Sequence, residues 1–247
     1  MPAERYDALS ATELADLARV PRVELFEFVA STMDEAHSLA AAGAESGTVV
    51  LANTQTAGRG RSGKRWSSQP RGVWMTLIER PTDPSALDVL SLRIGLAAAH
   101  ALDAFASEPV RVKWPNDLFI DEAKLAGVLV EARWRGDRLD WVAIGVGINM
   151  ALPSDRMDAA ALEPGTSRTL VLAALLPELR AAAAMVGTLT SEEMDEYAAR
   201  DLARGRTCIE PMRGRVLGIA PSGELLVELA DSVARVRSGS LVLELPD

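Results

Sequence analysis

Between Gln55 and Trp66 the chain reads Gln55-Thr56-Ala57-Gly58-Arg59-Gly60-Arg61-Ser62-Gly63-Lys64-Arg65-Trp66. Glycines at 58, 60 and 63 let the backbone turn tightly and approach a ligand. Successive backbone N–H groups in such a loop can form an anion-binding concavity. Arginine adds planar, bidentate recognition of phosphate or carboxylate. The glycine spacing is not that of the Rossmann fingerprint, and no Gly-Lys-Ser/Thr ending follows, so neither common nucleotide loop is present. Residues 59–71 carry Arg59, Arg61, Lys64, Arg65 and Arg71 with no acid among them, on a chain of net charge −9. Such a cationic island suits a small anion rather than a nucleic-acid groove; a solvated basic loop is the plain alternative.

Other segments could carry chemistry. In Lys113-Trp114-Pro115-Asn116-Asp117, Pro115 removes a backbone donor and favours an extended Trp114. Asn116 and Asp117 then suit a turn, either presenting polar groups or simply ending a strand. Lys124 opens an apolar stretch through Gly127 to Glu131, as a flank in water or as a cation pointing into a site. In Ile144-Gly145-Val146-Gly147-Ile148-Asn149, alternating glycines leave one strand face free of side chains. A planar ligand such as a purine could lie there, or the glycines mark a bend. Thr32 and Glu35 stand at capping-box spacing, while Ser31 could bond a polar ligand head at that helix end. His37 and His100 fall within helices and read as structural or surface residues. No Ser-His-Asp or Cys-His arrangement and no His/Cys metal cluster is visible.

These residues need a scaffold. At 247 residues, 48% hydrophobic and 25% charged, the chain suits one large soluble domain and a small one. No apolar run reaches the roughly 18 residues that span a bilayer, and the N-terminus has no signal-peptide core. Cys208 is alone, so a reduced, cytoplasmic setting is expected. Periodicity predicts helices over 7–19, from Thr32 to near Gly43, over 85–106 and 169–186, and from Thr190 to Gly205. It predicts strands at Val23–Val29, Thr48–Ala52, Gly72–Glu79, Val110–Trp114, Leu125–Arg133 and Trp141–Ile148, the last two joined by Arg135-Gly136-Asp137. Short strands follow at Arg215–Ile219, Glu224–Leu229, Val233–Arg237 and Leu241–Leu245. The fold expected is α+β: a mixed, largely antiparallel sheet with flanking helices, plus a small C-terminal antiparallel β-barrel. The domain reading is an N-terminal extension at 1–22, a catalytic domain at 23–204 and the β module at 205–247.

Together the segments resemble the catalytic domain of biotin–protein ligases, a class II synthetase-like domain. The resemblance rests on Ser-Thr-x-x-Glu at 31–35, Gln-Thr-x-Gly-Arg-Gly-Arg-x-Gly-x-x-Trp at 55–66, Lys-Trp-Pro-Asn-Asp at 113–117 with Lys124-x-x-Gly127, and Gly-x-Gly-Ile-Asn at 145–149. It implies ATP and Mg2+ as cofactors and biotin as substrate. Biotin is activated to biotinyl-5'-AMP and then passed to a lysine of a biotin carboxyl carrier domain of a carboxylase. By resemblance, Arg61, Lys124 and Asp117 are catalytic. Ser31, Thr32, Met33, Gln55, Arg59, Gly60, Arg61, Lys124 and Gly127 would bind biotin. Arg59, Arg61, Trp66, Lys113, Asn116, Asp117, Lys124, Gly145, Gly147 and Asn149 would bind ATP or the adenylate. Met33 departs from the family, which most often has Asn there. Too few residues precede the core for the DNA-binding domain of repressor-ligases, and a net charge of −9 gives no general attraction to DNA phosphates or anionic lipid, so no nucleic-acid or membrane partner is expected; a homodimer through sheet edges fits the family. The alternatives are a lipoate–protein ligase of the same superfamily, or a non-catalytic biotin-binding regulator that would have lost the cations.

Overall fold

The structure is a computed structural model of the chain, and residues 1–68, 71–152 and 158–244 are described. The elements in chain order begin with α1 (Ala11–Ala18), β1 (Arg22–Val29), α2 (Thr32–Ala41), β2 (Thr48–Gln55), β3 (Val73–Glu79) and α3 (Leu87–Leu102). β4 (Arg111–Lys113), β5 (Asp117–Ile120), β6 (Ala123–Arg135), β7 (Arg138–Ile148), α4 (Arg168–Ala183) and α5 (Ser191–Arg200) follow. The C-terminal part holds β8 (Thr207–Glu210), β9 (Gly214–Ile219), β10 (Leu225–Glu228), β11 (Val233–Val236) and β12 (Val242–Leu243).

The first seven strands form one sheet in the order β1-β2-β3-β7-β6-β5-β4. β1 and β2 run parallel and every other pair is antiparallel. Strand alternation then decides what each face can do. Val49, Leu51, Met75, Leu77, Ile144, Val146 and Val128 share one face, are buried, and belong to the main core with residues of α1, α3 and α4. The opposite face carries Thr76, Gly145, Gly147 and Gly127 in register. There α2 covers only part of the sheet, with Ala36 and Ala40 on Val50, Ile78 and Trp141. The glycine part is left for a cavity.

Pro84–Phe105, which contains α3, is long and apolar enough to cross a membrane by composition. Its apolarity is instead used in the core: Leu90, Ile94, Ala98 and Leu102 are buried, each large aliphatic one contributing ~1.5–3 kcal/mol by leaving water.

Several boundaries differ from those read off the sequence. α1 starts at Ala11 because Ser10 and Glu13 close a capping box. The cap of α2 is Ser31, whose hydroxyl accepts from Met33 N–H at 3.3 Å; Thr32 and Glu35 make no box. α5 stops at Arg200, since Asp201 turns to an extended conformation and Leu202 N–H bonds Val112 C=O beside β4. β5 and β8, four residues each, were not expected from the sequence. The C-terminal strands form a five-stranded antiparallel sheet, order β11-β10-β9-β8-β12; no pairing between β11 and β12 is seen among the described residues. The expected strand Leu241–Leu245 ends outside them. Trp114 Nε1 donates to Gly223 C=O at 3.0 Å and ties this sheet to the β4–β5 hairpin of the larger one.

Candidate active site

The basic loop leaves the end of β2 and folds back on itself. Gly60 N–H bonds Lys64 C=O at 2.8 Å, Trp66 N–H bonds Gly58 C=O at 2.9 Å, and Arg59 pairs with Arg65. A short 3-10 turn, Arg61–Gly63, forms the tip. Ser62 takes φ 53° and Gly63 φ 74° there, which only the glycine adopts without strain.

Trp66 returns the loop to the sheet. A Cβ built on Gly147 would sit 2.9 Å from the Trp66 indole, and one on Gly127 2.8 Å from it. The side-chain-free stripe therefore seats a protein indole. Beside it, Gly145 is covered by the Met33 methyl, 2.9 Å from where a Cβ would be. Gly147→Ala is expected to cost about 1–3 kcal/mol through overpacking against Trp66. Urea unfolding measures this; stability within about 0.3 kcal/mol of the parent would show that the indole yields freely.

The cavity in front of Trp66 has a volume of about 380 Å³. Its floor is polar and internally bonded. Thr32 N–H and Oγ1 donate to Gln55 Oε1 at 2.8 and 3.1 Å, and Thr76 Oγ1 donates to Thr32 Oγ1 at 2.9 Å. Gln55 Nε2 donates in turn to Ser68 Oγ at 3.1 Å.

The far wall comes from the β4–β5 hairpin and β6. Asp117 Oδ1 meets Lys124 Nζ at 2.6 Å, and that ammonium also lies 5.1 Å from the Trp66 ring centroid. Lys113 sits over Phe119, and burial pushes its ammonium below its ordinary value against the opposing pull of Asp117. Asn116 Nδ2 donates to Val128 C=O at 2.5 Å, which holds the hairpin turn to β6. Asn149 is a strut: its Nδ2 bonds the carbonyls of Lys124 and Ala160 at 3.2 and 3.1 Å.

The two loop arginines differ. Arg59 pairs with Asp34 at 2.7 Å and Glu131 at 2.5 Å. Glu131 also takes His37 Nε2 at 2.9 Å, while Trp141 Nε1 donates to His37 Nδ1 at 3.0 Å. The indole donor leaves the His37 proton on Nε2, facing Glu131. Arg61 has no ion-pair or hydrogen-bond partner among the described residues; burial pushes its guanidinium below the ordinary arginine value, with Asp117 opposing.

Every site residue read from the sequence lines this one cavity: Ser31, Thr32, Met33, Gln55, Arg59, Gly60, Arg61, Trp66, Lys113, Asn116, Asp117, Lys124, Gly127, Gly145, Gly147 and Asn149. They converge from five separate stretches of chain onto one sheet face.

Residues 25–149 match the biotin/lipoate A/B protein ligase family. The chain belongs to that family. It is 32% identical over 235 residues to the bifunctional ligase/repressor BirA of Bacillus spizizenii, covering 88% of this chain and 72% of that one. It is 31% identical to the biotin–[acetyl-CoA-carboxylase] ligase of Mycobacterium tuberculosis, covering 86% and 85%. The structure of the Aquifex aeolicus biotin protein ligase in complex with biotin and ATP superposes with a TM-score of 0.75 at 25% identity, covering 90% of this chain and 98% of that one.

Within this biotin/lipoate ligase fold, residues that sequence reasoning missed also line the cavity. Thr76 is one; its signal was a lone hydroxyl in the apolar strand β3, at the position facing Gly145. Gly239, Ser240, Leu241 and Val242 of the C-terminal sheet are others. Lys64 Nζ reaches Ser240 Oγ at 3.3 Å. No local pattern signals that contact between distant parts of the chain.

Proposed function

We propose that the chain is an ATP-dependent biotin–protein ligase. One observation carries this reading: Arg59, Arg61, Lys64, Arg65, Lys113 and Lys124 line the cavity, and Asp117 is the only carboxylate among its described lining residues. Two anions must meet for adenylation, so neutralising charge is the main task of such a site. A biotin carboxylate oxygen bonds the α-phosphorus of ATP and pyrophosphate leaves. A lysine amine of a biotin carboxyl carrier domain then attacks the acyl carbon, loses a proton, and expels AMP.

In this scheme Ser31, Thr32 and Gln55 face the ureido end of biotin, with Met33 beside its apolar part. Lys124 and Arg61 meet the carboxylate and α-phosphate. Trp66, with Gly127 and Gly147 behind it and Gly145 beside it under Met33, walls the ligand off from water. Lys113, Asn116 and Asp117 serve the nucleotide. Among the described residues no three His, Cys, Asp or Glu side chains cluster for a metal. A single carboxylate beside phosphates does suit Mg2+, which takes one or two carboxylates plus phosphate oxygens. Asp117 and Asn116 would hold it, and it would supply further neutralisation of the triphosphate. Relatives named for biotin and a homologous structure holding biotin with ATP support these substrates.

Incubation with ATP and either biotin or lipoate, followed by pyrophosphate release and label transfer to a recombinant carrier domain, tests the reading. Release and transfer are expected with biotin; release with lipoate alone overturns it.

A further inference from the structure

The feet of the basic loop are held by a residue that takes no part in the chemistry above. Arg168 opens α4 and is 9% exposed. Its Nε and Nη2 donate to the two carboxylate oxygens of Asp7 at 2.9 and 2.5 Å. Nη2 also donates to Asn53 Oδ1 at 3.1 Å, and Nη1 to Gly72 C=O at 3.5 Å. Asn53 lies on β2 just before the loop, and Gly72 stands immediately before β3, just after it. One guanidinium therefore bridges the incoming and outgoing strands. Its bidentate pairing with Asp7 fixes the plane from which it does so.

The N-terminal extension is built to present Asp7. Tyr6 and Leu9 exchange backbone hydrogen bonds at 2.8 and 3.1 Å, closing a two-residue turn. Both central residues, Asp7 at φ 45° and Ala8 at φ 75°, lie in the left-handed region, which disfavours side chains. Such conformations persist where the surroundings over-determine them. Here Tyr6 is buried with its ring 3.9 Å from the Arg168 guanidinium carbon. Residues 1–3 are bonded along β1, through Ala3 N–H to Leu25 C=O and Glu27 N–H to Met1 C=O. The hydrogen bonds from Arg168 hold the Asp7 carboxyl below the usual carboxylate value against a smaller opposing effect of burial.

A packed path leads from this turn to the cavity. A Cβ on Gly72 would fall 2.0 Å from the Trp74 ring, so the Gly72 backbone rests on that indole. Trp74 meets Trp66 edge-on, with centroids 6.3 Å apart. Trp66 is the cavity wall on Gly127 and Gly147.

We propose that Asp7 and Arg168 form a positioning clamp by which the N-terminal extension fixes both feet of the basic loop, and through Gly72 and Trp74 the Trp66 wall of the cavity. That this loop binds biotin and phosphate rests on the function proposed above; the clamp itself does not. Neither residue lines the cavity, so both act through others.

The test uses full-length protein carrying Asp7→Asn, a shape-preserving change at a partly exposed side chain. Trypsin cleavage after Arg59, Arg61, Lys64 and Arg65 reads loop opening without reference to activity. Cleavage is expected to accelerate about five-fold, with the KM for biotin raised roughly five-fold and kcat within about two-fold, because opening and ground-state binding are affected but the reacting groups are not. Asp7→Glu restores both. Leu14→Ala, which loosens the buried face of α1 and leaves both clamp residues in place, serves as the stability control. Unchanged loop cleavage in Asp7→Asn overturns the proposal, as does equal acceleration in Leu14→Ala. If the protein does not use biotin, only the KM arm is lost and the cleavage arm still decides.

Discussion

Arg61→Ala is expected to slow biotinyl-adenylate formation by about 100- to 1000-fold, the ~3–4 kcal/mol typical of removing one preorganised group that stabilises developing negative charge. The size follows from what the two loop arginines do in the folded chain. Arg59 is satisfied by Asp34 and Glu131, so an incoming anion gains little there that water-exposed pairing does not already provide. Arg61 lines the cavity with no bonded partner among the described residues, and burial already works against its charge. Arginine nevertheless stays protonated. An anionic ligand relieves that penalty, and the doubly anionic transition state relieves it most. Arg59→Ala should therefore cost far less, about tenfold or below. Arg61→Lys should fall between, because the charge remains and the bidentate fork is lost. Single-turnover pyrophosphate release measures all three. A rate for Arg61→Ala within about threefold of the parent would refute the role given to this side chain.

The family resemblance singled out Arg61 over Arg59 as the catalytic cation, but the physical ground for the division was not legible in the sequence. Both stand in one Gly-Arg-Gly-Arg run, and only the fold shows Glu131 reaching one of them. The same holds at Gly145 and Gly147. Their alternation correctly indicated a bare strand face, because period-two spacing on a strand places both on one side. What lies on that face is Trp66 and Met33, brought there by the loop and by α2, and no local pattern encodes such a contact. At the start of α2, Ser31 and Thr32 are both good caps by type. The choice is made by tertiary partners: Gln55 and Thr76 engage the Thr32 hydroxyl and leave Ser31 to cap. The β6–β7 hairpin, by contrast, was legible almost to its ends, since it is long, strongly apolar and closed by a glycine turn at Gly136 with φ 64°.

Arg93→Ala is expected to destabilise the protein by about 3–5 kcal/mol, the usual result of breaking a buried ion pair by removing one partner. Arg93 projects from α3 and is 2% exposed. Its Nε and Nη2 reach the two oxygens of Glu193 at 2.5 and 3.0 Å, and Nη2 also reaches Thr188 C=O at 2.9 Å. Truncation leaves a carboxylate and a carbonyl short of donors at the start of α5. Against a typical total of about 5–15 kcal/mol, that loss is large. It also has a pH signature. Burial raises the Glu193 value, but the hydrogen bonds from Arg93 and from Thr190 outweigh it and hold the carboxyl below its ordinary value. A depressed folded-state value means the contribution is present above the unfolded carboxylate range and is lost as pH falls through the folded value. The stability gap between parent and Arg93→Ala should thus narrow on acidification below about pH 4. A gap of constant size down to acid pH would show that lost packing of the arginine stem, not the ion pair, sets the cost. The pair matters to the site as well, because α5 feeds through Asp201 into the C-terminal sheet whose Gly239–Val242 segment lines the cavity. Loosening α5 should therefore weaken ligand binding at temperatures where the variant is still folded.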